Sequence, residues 1–195
     1  MKYFCAPVCL GLLLAVGSTV APTFMGSDAA YAQQAQRLTP DQNRIVALIR
    51  RAIAANANNP DALASALAGV ISANPSAAAL IDVAVAGVSN ITSAMASAIG
   101  QGMAQAVNTL LLAGNTAAAA AVNAEVAQVQ TAIASNPSNT AGAGAALSAS
   151  YATSANAAIA ADNAAGTAAG AAAATAFASL LSAGSSSGGG SSSRT

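Results

Sequence analysis

The chain has 195 residues, six basic and six acidic, with neither histidine nor tryptophan. Only 6% of residues are charged, against about 25% in an ordinary domain, and 59 residues are alanine. A formal net charge of zero argues against a basic nucleic-acid binder and against a highly charged disordered chain.

Residues 1–32 read as a secretory signal peptide. Lys2 supplies a short positive start, and Val8 to Val20 is an apolar run centred on Leu10, Leu12, Leu13 and Leu14. Ala30-Tyr31-Ala32 then places small residues where a signal peptidase needs them, ahead of Gln33. The run falls short of the ~20 residues that span a bilayer. The Ala-Tyr-Ala-Gln junction resembles those of many exported proteins of Gram-negative bacteria. Cleavage after Ala32 is expected, with the product in the periplasm, at the outer surface or outside the cell. Both cysteines, Cys5 and Cys9, lie in this leader, so the exported chain is expected to hold together without disulfides.

The remainder divides by composition into a helical core domain (33–135), an Ala/Gly/Ser-rich helical arm (136–182) and a flexible Ser/Gly tail (183–195). Of the 33 Val, Ile, Leu, Met, Phe and Tyr residues after Ala32, 27 lie in 33–135. The expected fold is all-α: an array of short helices punctuated by Asn-Pro, with the spacing of a degenerate helical repeat, followed by the arm.

Thr39-Pro40-Asp41-Gln42 reads as a capping box with proline at the first helical position. Its helix is expected to bury Ile45, Leu48, Ile49, Ala52 and Ile53. Asn59-Pro60 ends that helix and opens the next, since proline fits a first turn and no interior one. Leu63, Leu67, Val70 and Ile71 form the second apolar stripe. Asn74-Pro75 repeats the device ahead of Leu80, Ile81, Ala84, Val85 and Val88, and Ser89-Asn90 makes a break without proline. Ile71-Ser-Ala-Asn74-Pro75 returns as Ile133-Ala-Ser-Asn136-Pro137, which is the basis for the repeat reading.

Two longer helices are expected next. One carries Ile91, Met95, Ala98, Gly102, Ala106 and Leu110, with Ile99 and Met103 beside them. The other is capped by Asn115 and presents Val122, Val126, Val129 and Ile133 at coiled-coil-like spacing. In the arm, Leu147, Tyr151, Ala155, Ala158 and Ile159 fit a helix face, and Phe177, Leu180 and Leu181 make a small cluster. Between them alanine offers little area to bury, so a marginal helix or helix pair, partly frayed, is expected to extend from the array.

The chemistry available is narrow. After Ala32 there is no histidine, cysteine or lysine, so Ser-His and Ser-Lys nucleophiles are excluded and the usual zinc and iron–sulfur ligands are missing. No GxxxxGK[ST] loop occurs. No cofactor, metal site or catalytic residue is therefore assigned, and the protein is read as no enzyme. Asp41 and Asp61 suit the positive ends of helix dipoles. Asp82 is expected to be solvated, with pairing to Arg44 or Arg51 as the alternative. Glu125 is read as the polar edge of its stripe, and the local spacing yields no carboxylate pair. Arg37, Arg44, Arg50 and Arg51 form the one basic region before the C terminus. Arg44, Arg50 and Arg51 are the candidates for contact with an anionic surface, although the wet face of the first helix accounts for them more simply. Ala164 to Gly184 is uncharged and long enough to span a membrane, but alanine drives insertion weakly.

These features point to an exported, non-enzymatic protein with a structural or interaction role, self-associating in the cell envelope. The alternatives are a periplasmic helical-repeat module for a protein partner and an amphipathic protein of the envelope surface. Self-association or another protein is the expected partner, a membrane surface is a secondary one, and nucleic acid is not expected.

Overall fold

The computed structural model describes residues 38–185. The signal peptide, Arg37 and residues 186–195 of the Ser/Gly stretch lie outside the described residues. Among those described there are seven α-helices, one 3-10 segment and no strand. We number the helices α1 (Pro40–Ala55), α2 (Pro60–Ala73), α3 (Ile81–Ala86), α4 (Ser93–Leu112), α5 (Thr116–Ser135), α6 (Ala143–Ala164) and α7 (Ala168–Ser185), with the 3-10 segment at Pro75–Leu80. The all-α expectation holds.

The helix starts follow side-chain chemistry. At α1 the Thr39 hydroxyl accepts from the Gln42 amide at 3.3 Å, while the Gln42 side chain accepts from the Thr39 amide at 2.9 Å. The box thus satisfies two donors that a helix end leaves open. Asn59, Thr92 and Asn115 cap α2, α4 and α5 by accepting from Ala62, Met95 and Ala118, each at 3.2 Å. Asparagine also closes helices: the side-chain Nδ2 atoms of Asn56 and Asn74 donate to the Ala52 and Val70 carbonyls, both at 2.9 Å.

The two Asn-Pro recurrences differ in role. After Asn74 the chain makes a 3-10 segment, and Leu80 (φ −128°, ψ 0°) separates it from the six residues of α3. The single helix expected there is therefore split. After Asn136 no helix begins. Instead, 136–140 forms a loop fastened to the segment before α4. The Asn136 side chain donates to Val88 O, the Asn139 carboxamide accepts from the Ile91 amide at 2.8 Å, and Thr140 N donates to Ile91 O at 3.0 Å.

α4 is the hub. It packs on α2, α5, α6 and α7, and Met95, Ile99, Met103, Val107 and Leu110 are all buried on it. The helices gather around this one element; in a solenoid each unit would touch only its neighbours in sequence. Two glycines set how closely they gather. A Cβ at Gly100 would overlap the Leu147 carbonyl oxygen of α6, and one at Gly102 would meet the Ala64 carbonyl oxygen of α2 at 2.7 Å. Helix axes separate according to the side chains between them, and here α4 meets main chain in both directions.

Residues 143–185 do not extend as an arm. α6 packs along α4, and Leu147, Tyr151, Ala155 and Phe177 belong to the same apolar core as Val46, Ile71 and Ile133. Close backbone approach brings the few large side chains of this stretch into a core that others have filled, which replaces the frayed extension expected from composition. α6 and α7 are separated at Gly166, whose φ is +63°, and Thr167 caps α7 by accepting from the Gly170 amide at 3.0 Å. On α1 the buried line is Val46, Ile49 and Ile53, with Ile45 and Ala52 partly covered and Leu48 37% exposed. The predicted face is thus rotated, because the neighbours of α1 lie on the side of Val46. Among the described residues no single helix is long and apolar enough to cross a membrane.

Candidate functional site

The described acids divide by position. Asp41 and Asp61 lie exposed in the first turns of α1 and α2, as read from the sequence. Asp82, Glu125 and Asp162 are buried.

Asp82 occupies the second position of α3, between Ile81 and Val83, and all five residues from Ile81 to Val85 are buried. α3 rests against α5, whose buried Glu125 lies near enough to feel the charge on Asp82. Each is 9% exposed. Their Oδ1 and Oε2 atoms are buried without a hydrogen-bond partner, while Glu125 Oε1 accepts a long bond of 3.4 Å from Gln128. Burial lifts the Asp82 carboxyl above its ordinary value, against the opposing pull of backbone hydrogen bonds at Val83 and Asp82 itself. Burial, and then the charge on Asp82, push Glu125 up to about 7. The structure therefore brings together a carboxyl pair that local spacing does not reveal, and Asp82 is shielded where a solvated position was expected. Glu125 lies on the buried seam with Val122 and Val129, three residues after one and four before the other, so it is more than a polar edge. That spacing was the available signal.

Arg50 belongs to this region too. It is half-buried, and its guanidinium donates to the carbonyls of Ala84 and Val83, both at 3.1 Å. These are carbonyls near the C-terminal end of α3, where a cation also complements the helix dipole. Gly87 admits this contact, since any Cβ there would overlap the guanidinium. Arg44 and Arg51 are exposed. The three arginines read as one anionic-surface patch are thus separated: two face solvent and Arg50 is turned inward. Arg50→Ala is expected to destabilise the fold by about 1–2 kcal/mol, through two lost charge-assisted bonds at a partly exposed position. Urea unfolding checks this, and a loss below ~0.3 kcal/mol would show that the clamp contributes nothing.

A second polar connection joins α5, α6 and α7. The Tyr151 hydroxyl donates to Asn123 Oδ1 at 2.9 Å, and Asn123 Nδ2 donates to the Leu180 carbonyl at 3.1 Å. Burial raises the Tyr151 phenol above its usual value, so it remains a donor here. Nearby, α6 and α7 flank an open groove of about 460 Å³, lined by residues that include Ile159, Asn163, Thr175 and Ser179. Among the described residues no group of three or more His, Cys, Asp or Glu side chains could hold a metal ion. The chemistry this arrangement supports is the uptake and release of a proton by the Asp82–Glu125 pair. No protein-family model, curated protein or solved structure matches the chain.

Proposed function

We propose that this protein is an exported, non-enzymatic helical module of the cell envelope that associates with further copies of itself through the outer surface of α6 and α7. One observation carries the reading. From residue 126 to residue 182 the single charged side chain is Asp162, and it is buried. The outside of two long helices is therefore alanine with serine, threonine and asparagine, and it bears no charge. Small side chains permit close approach between helices. A net charge of zero supplies no long-range repulsion between copies. Because each alanine removes little apolar area, such a contact has to be broad, on the scale of an ordinary interface of about 800 Å² per partner.

Sedimentation velocity on the full chain, at high micromolar concentration, is expected to show oligomers. Placing lysines at Ala157 and Ala171, exposed on α6 and α7, is expected to return monomers with unchanged helicity. A monomeric parent chain would remove self-association from the proposal. The groove beside Ile159 and Thr175 favours a second reading, a module that seats a segment of another protein. Retention of one defined envelope protein by a monomeric chain, lost when Thr175 is replaced by arginine, would select it.

A further inference from the structure

The Asp82–Glu125 pair stands apart from the outer surface of α6 and α7, and its chemistry is independent of self-association there. Two packed elements each carry one buried acid, near enough for the charge on Asp82 to act on Glu125, and each acid has a buried oxygen with no partner. An unpaired buried charge is costly, and two of like sign near each other are costlier, unless a proton remains. The other elements packed on α5 bring no cation to relieve them. The 3-10 segment, α4 and α7 have no titratable side chain. α6 carries Tyr151, bonded to Asn123, and Asp162, itself buried. Of the charged groups on α1, which packs on α3, Asp41, Arg44 and Arg51 are exposed, and Arg50 is spent on the carbonyls of Val83 and Ala84.

We propose that Asp82 and Glu125 form a proton-operated catch between α3 and α5, seated while the pair retains a proton and loosened once both carboxyls are ionised. α3 is suited to be the moving part. It is six residues long, follows a break in helical geometry at Leu80, and is tied by Arg50 to α1, so it leaves the α5 surface together with α1 and the 3-10 segment. α2, α4 and α6, joined through the glycine contacts, stay assembled.

Glu125 holds its proton more tightly in the folded state, about 7 against 4.5. Its contribution to stability is complete below 4.5, declines as pH rises to about 7, and is absent above. Over that window the unfolding equilibrium constant of the full chain is expected to rise about a hundredfold.

The direct measurement is a carbon-13 titration of the side-chain carboxyls in the uniformly labelled full chain. A Glu125 midpoint near 7 is expected; a midpoint at the ordinary glutamate value overturns the catch. Pulsed hydrogen exchange after equilibration at pH 5 and pH 8 locates the movement. Amides of 81–86 and 122–129 are expected to lose protection at pH 8 while those of α2 and α4 keep theirs. Uniform change or no change across the chain counts against a local catch. In urea unfolding, Glu125→Gln is expected to flatten the pH dependence and to exceed the parent in stability at pH 8. Asp82→Asn should move the Glu125 midpoint down towards its ordinary value. A parent-like pH slope in both variants also overturns the assignment.

Discussion

Replacing Gly100 by alanine is expected to destabilise the protein by about 3 kcal/mol, a large change for one added methyl group. The added carbon would occupy the position of the Leu147 carbonyl oxygen. A flexible side chain could rotate aside, but main chain moves only with its helix. α6 would therefore have to separate from α4 over their shared length, weakening the cover on Ile99, Met103 and Leu147, each no more than 1% exposed at present. Gly69 supplies the control. It is exposed on α2, and an added Cβ there would meet nothing within 4 Å. Gly69→Ala is accordingly expected to gain about 0.5–1 kcal/mol from helix propensity alone. Urea unfolding of the two variants beside the parent measures both effects. Equal stability of the Gly100 and Gly69 variants would show that the α4–α6 approach is slack.

Phe177→Ala is expected to cost about 3–5 kcal/mol, the usual range for truncating a buried phenylalanine. Phe177 has no solvent exposure and meets the Tyr151 ring edge-on, with centroids 6.3 Å apart at 66°. Around it α7 is mostly alanine, which forms helix readily but buries little surface. Anchoring of α7 therefore rests largely on this ring, on the partly buried Leu180 and Leu181, and on the Asn123 bond to the Leu180 carbonyl. Limited proteolysis of the variant is expected to cut first near Thr167, releasing α7 ahead of the other helices. A loss below ~1 kcal/mol with unchanged proteolysis would mean that α7 is held by something other than its large side chains.

The helix boundaries were the most legible part of the sequence. Thr39, Asn59 and Asn115 announce their helices through chemistry confined to three or four residues, and the structure shows each bond. The stripe of α4 was equally readable, since every residue of it is buried, and those of α2 and α5 largely so, with Val70 and Val126 only partly covered. α1 was not, since one flank faces solvent and only tertiary position selects Val46 over Leu48. The packing of 143–185 is hidden in the sequence for a related reason: its alanines reveal nothing about a neighbour, and the decisive residues act by having no side chain, Gly100 on α4 and Gly144 on α6, where an added Cβ would lie 2.8 Å from the Gln130 carbonyl oxygen of α5. The carboxyl pair depends on a meeting between residues 82 and 125, which no local pattern encodes. Its one trace was an acid at a valine-seam position, and Arg50 left none.

The glycine contacts of α4 also bear on how this fold can diverge. Every coding change at Gly100 or Gly102 adds atoms where neighbouring main chain already stands, so both positions are closed to gradual drift. On the outer surface of α6 and α7, exchanges among alanine, serine and threonine disturb almost nothing. Descendants of such a chain would hold fast at a few near-invisible points and wander elsewhere, keeping their shape long after their letters had ceased to agree.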